Sequence, residues 1–270
     1  MNLGEATLDL ARYAQGVEQH TITKVDRTDN SFRCLRSLAA NQGEYTGGTC
    51  WFLTGKSKGR FSPIEAGTNQ WIMLQDPMPD GYEEEDEVAL GWSRYFNTQN
   101  LVNAINHVLN DYPIMAIWDG ETIEPEDKVT GPVYEFQLPE EVTSDIRRVE
   151  LESFRGERTV CHYWRLNGRT LEIDPRSLYK WGGAIRIHYV KEHGAIYDRE
   201  NQEIDDQVDH QYLRKMANLW LWTHEIQMKH KDNPIAVDMY NQAKMDEDFL
   251  NKRNLRHSAL KPKDRTYYWQ

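Results

Sequence analysis

The side chains that titrate near neutrality or hold metal ions are few, and their spacing is informative. Nine histidines are present, and the nearest approach to a metal motif is His224-Glu225-x4-His230. A separation of six turns the two rings to different faces of a helix, whereas a zincin pair needs a separation of four. His188 and His193 flank a strand end with no third ligand in reach. No metal ligand is assigned on this pattern, and no cofactor.

The densest acidic run is Glu83, Glu84, Glu85, Asp86 and Glu87. Acid–base chemistry by paired carboxylates needs two environments that push their pKa values apart, and five adjacent acids in one loop share one environment. The run reads as a solvated loop, a cation site or a surface that repels DNA. Gly55-x3-Gly59 lacks the Gly-Lys-Ser/Thr that completes a phosphate loop and reads as a hairpin turn. No Gly-x-Ser-x-Gly elbow is present and no Ser, Cys or Thr sits in a nucleophile context, so the expectation is a protein that is not an enzyme.

Composition narrows the classes further. Over 270 residues, 32 Lys plus Arg stand against 43 Asp plus Glu, a formal charge of −11 that repels phosphates over the chain as a whole. Three cysteines without a C-x-x-C pair fit neither a disulfide framework nor a zinc ribbon, and suit a reducing compartment. The mean hydropathy is −0.79, and no apolar run is long enough to cross a bilayer. The opening residues carry no secretory pattern. The 9 Trp and 14 Tyr are amphipathic rings suited to cores and protein interfaces.

The elements that position these residues follow from periodicity. Leu3, Ala6, Leu10, Tyr13, Ala14 and Val17 form a helical stripe over 3–19. Alternating runs at 21–25, 32–35, 49–54, 60–64, 71–75 and 87–90, separated by Gly, Asn, Asp and Pro turns, predict a small β-barrel or sandwich. Leu101, Ile105, Val108 and Leu109 give a second helix that stops before Pro113. A second β region follows at 133–138, 146–154, 160–166, 170–173 and 184–190, in which Asn167-Gly168 signals a type I′ hairpin turn. Val208, Leu213, Met216, Trp220 and Ile226 mark a third helix, and Pro234 opens a fourth.

Each helix has one face to hide, so the economical expectation is that the helices pack on one another. The expected fold class is α+β: a discontinuous four-helix bundle (1–19, 97–112 and 206–252) with two inserted antiparallel β domains (20–96 and 113–205). An extended C-terminal arm covers 253–270. Tyr212, Trp220 and Trp222 are expected in core or subunit interface. Residues 252–270 carry Lys252, Arg253, Arg256, Lys261, Lys263 and Arg265 against Asp264, then the cluster Tyr267-Tyr268-Trp269, a combination suited to a groove on a partner.

The linear order of blocks resembles that of head–tail adaptor, or connector, proteins of tailed double-stranded DNA bacteriophages. The likeness covers most of the chain. It rests on the opening helix, Phe32-Arg33-Cys34-Leu35, Tyr45-Thr46-Gly47-Gly48-Thr49-Cys50-Trp51-Phe52 and Ala104-Ile105-Asn106-His107-Val108-Leu109-Asn110-Asp111-Tyr112. It continues through Val133-Tyr134-Glu135-Phe136-Gln137-Leu138-Pro139, Ile146-Arg147-Arg148-Val149-Glu150, Trp164, and Gly182-Gly183-Ala184-Ile185-Arg186-Ile187-His188-Tyr189-Val190 before the terminal helices.

What the resemblance implies is a virion protein at the head–tail junction: a homo-oligomeric, twelvefold ring with the portal protein above and a stopper or tail protein below. Double-stranded DNA would pass through without sequence-specific binding. The arm at 252–270 would dock on the portal, and the acids at 83–87 are candidates for the channel lining. Two other readings stand beside it: a stopper or tail terminator, and a glycan-binding virion protein using Trp51, Trp71 and Trp164 as sugar platforms.

Overall fold

The computed structural model describes residues 1–34, 45–68, 71–93, 95–120, 134–153, 155–174, 181–194, 196–199, 201–228 and 232–258. The chain divides into two compact units, one formed by Met1–Asp111 with Gly194–Ser258 and the other by Tyr112–His193.

In the first unit, α1 (Leu3–Ala14) opens with a capping box in which Glu5 N donates to Asn2 Oδ1 at 2.8 Å and Asn2 N donates to Glu5 Oε2 at 3.1 Å. Gly16, with φ +78°, ends it well before residue 19. The residues that follow belong to β1 (Glu18–Asp26), the first strand of a closed barrel. The barrel adds β2 (Ser31–Cys34), β3 (Thr49–Phe52), β4 (Phe61–Gly67), β5 (Trp71–Leu74) and β6 (Glu87–Gly91) in the order β1-β2-β5-β4-β3-β6. Antiparallel pairing of β1 with β6, from Glu18↔Leu90 to Thr21↔Glu87, closes it and removes both sheet edges. Inward positions recur every second residue: Phe32 and Cys34 on β2, Ile72 and Leu74 on β5, Val88 and Leu90 on β6. Tyr82 fills the centre, stacked on Phe52 at 5.4 Å and edge-on to Phe32 at 5.5 Å.

The remaining helices of this unit are α2 (Thr98–Asn110), α3 (His210–Met228) and α4 (Pro234–Ser258). Here the sequence-based fold class is corrected. Among the described residues strands outweigh helices, and the helices gather on a closed barrel instead of forming a four-helix bundle that carries inserted domains. The physical reason is that an amphipathic helix needs only an apolar surface, and a barrel wall supplies one. Trp51 on β3 donates from Nε1 to Thr7 Oγ1 on α1 at 3.0 Å, and Thr49 on β3 meets Thr98 on α2 at 2.6 Å between hydroxyls. Gln15 brackets Phe96, accepting from its N–H at 3.3 Å and donating to its carbonyl at 3.4 Å. The helices α1 and α2 are therefore fastened to the barrel. α3 packs against α1, α2 and α4.

The second unit is a β-sandwich. One sheet runs β10-β9-β13-β7 and the other β11-β12-β8, where β7 is Pro113–Asp119, β8 Tyr134–Gln137, β9 Ile146–Ser153 and β10 Arg158–Val160. β11 is Trp164–Asn167, β12 Thr170–Ile173 and β13 Trp181–Glu192. Val149, Leu151, Ile185 and Ile187 from the first sheet share a core with Leu171 and Ile173 from the second. Sequence periodicity missed β7, where Pro113 ends a helix and also starts an edge strand, a position that needs no ladder donor. The run expected at 160–166 is two strands belonging to different sheets. The hairpin at Asn167 forms, with Asn167 paired to Thr170, but its central residues are Gly168 and Arg169. Only Gly168, at φ +60°, is left-handed, the type II′ pattern and not the expected type I′.

Candidate functional site

The acidic loop sits where β6 enters the barrel, and four of its five acidic residues make contacts that fix it there. Asp86 accepts the N–H of Glu83 at 2.8 Å, and Glu87 N donates to Thr54 Oγ1 at 2.7 Å. Glu85 adopts φ +76° while its N–H donates to the Ile22 carbonyl at 2.9 Å. Lys56 pairs with Glu83 at 2.8 Å, and that hydrogen bond holds the Glu83 carboxyl below its usual range. The glycine of the facing hairpin is required: a Cβ on Gly55 would lie 2.2 Å from Asp86 Oδ1. The loop thus presents Glu83, Glu84, Glu85 and Glu87 to solvent from a backbone pinned on the barrel.

Of the α3 aromatics, Trp222 is core, packed edge-on against Phe96 at 4.9 Å and against Tyr95 at 5.4 Å. Trp220 is half-buried, stacked on His224 at 5.1 Å and tilted against His107 at 5.6 Å. Tyr212 is half-buried near the start of α3. His224 is thus occupied by a ring contact, and His188 Nε2 lies 3.5 Å from Glu150 Oε2 without a hydrogen bond. Among the described residues no group of three or more His, Cys, Asp or Glu could hold a metal ion. None of the three cysteines is in a disulfide, and burial pushes the Cys34 thiol up to about 12, which makes it a poor nucleophile.

A polar clasp ties three helices. Asp246 on α4 accepts from the Tyr13 hydroxyl on α1 and from Lys215 Nζ on α3, the latter at 3.0 Å. Arg214 lies 4.8 Å over the Tyr13 ring and reaches Asp9 at 3.2 Å. Tyr13 is pushed up to about 12 by burial and by its bond to Asp246, so the phenol stays protonated and fastens the helices without serving as a base.

The clasp leaves large apolar side chains of α4 exposed beside it, and Phe249 borders it, with Lys215 Nζ 5.3 Å over its ring. Ala236, Ala243 and Leu250 are buried, whereas Ile235 is 56% exposed, Met245 72% and Phe249 60%. Ile235, Asp238, Gln242, Met245 and Phe249 follow one another at spacings of three and four, so they form a second, solvent-facing stripe. Sequence periodicity alone could not separate the two stripes, because both are intermittently apolar.

The basic segment begins inside this helix. α4 runs to Ser258, so the backbone at 253–258, inside the segment expected to be an arm, is helical. Lys252, Arg253 and Arg256 are on its last turns, while Lys261, Lys263, Arg265, Tyr267, Tyr268 and Trp269 lie outside the described residues.

The three Trp offered as sugar platforms separate. Trp51 is 1% exposed and bonded to Thr7, which removes it. Trp164 is half-buried on β11, packed against the sandwich core. Trp71 is half-buried on the outer wall of the barrel, where it lines a groove with Asp26 and Asp29. No helix of the described residues is long and apolar enough to cross a membrane. Compared with known protein families and with curated proteins, the chain matches no family model and no curated relative.

Proposed function

We propose that the chain is a structural, non-enzymatic virion protein that forms a twelvefold ring between portal and tail and lines the DNA exit channel. The observation that carries this reading is the exposure of Ile235, Met245 and Phe249 on one face of α4. A closed ring is built from heterologous contacts in which every subunit presents one patch and receives another, and an exposed apolar stripe on an otherwise clasped helix is such a patch. The resemblance of the order of sequence blocks to that of head–tail adaptors supports the same reading.

Charge adds to it. A formal charge of −11 and the exposed acids Glu83, Glu84, Glu85 and Glu87 suit a channel through which DNA slides, because each phosphate-neutralising cation would add retention. The cations at 252–265 with Tyr267, Tyr268 and Trp269 form the portal-docking segment. The stopper or tail protein binds the opposite side.

The test is mass photometry of the full chain mixed with portal assemblies of the virus that encodes it. Stoichiometric decoration of the portal supports the adaptor reading. Binding to tail assemblies alone shifts it to a stopper or terminator, and binding to neither removes it.

A further inference from the structure

We infer that the barrel carries a binding groove for one neutral pyranose ring, formed between the β1–β2 turn and the β4–β5 hairpin with Trp71 as its stacking platform. The groove has a volume of about 220 Å³ and is lined by Asp26, Asp29 and Ser31 on one side and Ala66, Thr68, Trp71 and Met73 on the other. That is below the about 300–1,000 Å³ of drug-sized ligand sites and matches a single sugar ring.

Strand alternation explains why these side chains converge. Phe32 and Ile72 face the barrel core, so Ser31 on β2 and Trp71 and Met73 on β5 must face outward, and Ser31↔Met73 are register partners. Ser31 is nevertheless only 7% exposed, because the groove walls cover it. Its hydroxyl has no hydrogen-bond partner among the described residues, and neither has the Asp29 carboxylate. Asp26 accepts one backbone N–H, from Thr28 at 3.0 Å. The Ser31 hydroxyl is not among the fully buried unpaired atoms, so it is open to the groove and available to a ligand hydroxyl or to water.

The chemistry favours a sugar over a cation. Asp26 and Asp29 accept from vicinal hydroxyls, Ser31 and the indole N–H of Trp71 donate, and the Trp71 face with Met73 and Ala66 offers an apolar floor to ring C–H groups. Two carboxylates beside a Trp would also attract an ammonium ion. Arg33, however, is the register partner of Trp71 and shares its outer face, so a cation already stands beside the groove.

Saturation-transfer NMR on the full chain tests this with the methyl glycosides of glucose, galactose, mannose and N-acetylglucosamine, and with n-butylammonium as the cationic control. At least one pyranoside is expected to take up saturation. Its affinity should fall at least tenfold in Trp71→Ala and in Asp29→Ala, the second being a turn substitution that spares the barrel core, and stay unchanged in Trp164→Ala. Absence of transfer to every pyranoside overturns the inference. So do transfer that survives both groove substitutions and transfer to n-butylammonium alone. Because the readout does not involve the portal, it stands or falls separately from the ring.

Discussion

Trp51 and Thr7 join the barrel to the helices: the buried indole N–H of one donates to the hydroxyl of the other at 3.0 Å, and Thr7 in turn donates to the Gly4 carbonyl at 2.9 Å. This two-bond relay is the point at which β3 is fixed to α1. Thr7→Val keeps the shape and removes the acceptor, leaving a buried N–H unpaired at a cost of about 1–3 kcal/mol. Thermal unfolding should shift down by roughly 2–4 °C per kcal/mol for a unit of this size. An unchanged Tm would show that α1 is held by apolar packing alone.

The clasp at Asp246 gives stability a dependence on pH at both ends. Burial and the bond to Asp246 raise the Tyr13 phenol from 10.0 to about 12, so its contribution is complete below 10.0 and is lost as pH rises through about 12. Burial works against ionised Asp246, but the bonds from Tyr13 and Lys215 hold its carboxyl below 3.8. That contribution is complete above 3.8 and disappears as the medium becomes more acidic than the folded-state value. Tyr13→Phe should cost about 1 kcal/mol at neutral pH, the pair being partly exposed. It should also flatten the alkaline limb in urea titrations run between neutrality and high pH. An alkaline limb identical to that of the parent would assign the effect to other groups.

Gly55 faces Asp86 with no room for a methyl group and with φ +73°. Gly55→Ala combines left-handed strain with a clash against a carboxylate held by Glu83 N, and should destabilise by about 2 kcal/mol. The urea midpoint measures it. A midpoint within error of the parent would mean that the acidic loop yields freely and is not pinned on the barrel.

Removal of residues 259–270 should leave thermal unfolding unchanged, since the sequence there has no apolar period, and should abolish portal binding in co-sedimentation. Cutting before Leu250 is a different experiment, because Leu250 is buried and belongs to the helix core. Retained portal binding by the shorter truncation would remove the docking role.

Much of the strand pattern was legible in the sequence. Phe32 and Cys34 alternate with the polar Ser31 and Arg33, and Gly and Pro turns punctuate the strands. What periodicity could not show was the partner of each apolar face. The stripes of α1 and α2 look the same whether they meet another helix or the barrel wall at Trp51 and Thr49, and the bundle expectation failed on that ambiguity. Trp51 and Trp71 likewise read alike in sequence, yet alternation sends one to the junction with α1 and the other to an open groove. The α4 stripe was illegible for a related reason: the spacing of Ile235, Met245 and Phe249 puts them on one face with Asp238 and Gln242, but only burial reveals that this face is exposed.

Ring formation through α4 is the central claim, and the double variant Met245→Glu/Phe249→Glu tests it most directly. Both side chains are mostly exposed, and Phe249→Glu exchanges a cation–π contact with Lys215 for an ion pair, so circular dichroism should match the parent and Tm should change little. Mass photometry with portal assemblies should then show full decoration by the parent chain and only undecorated portals with the variant. Equal decoration by both chains would contradict the claim and place the subunit contact elsewhere.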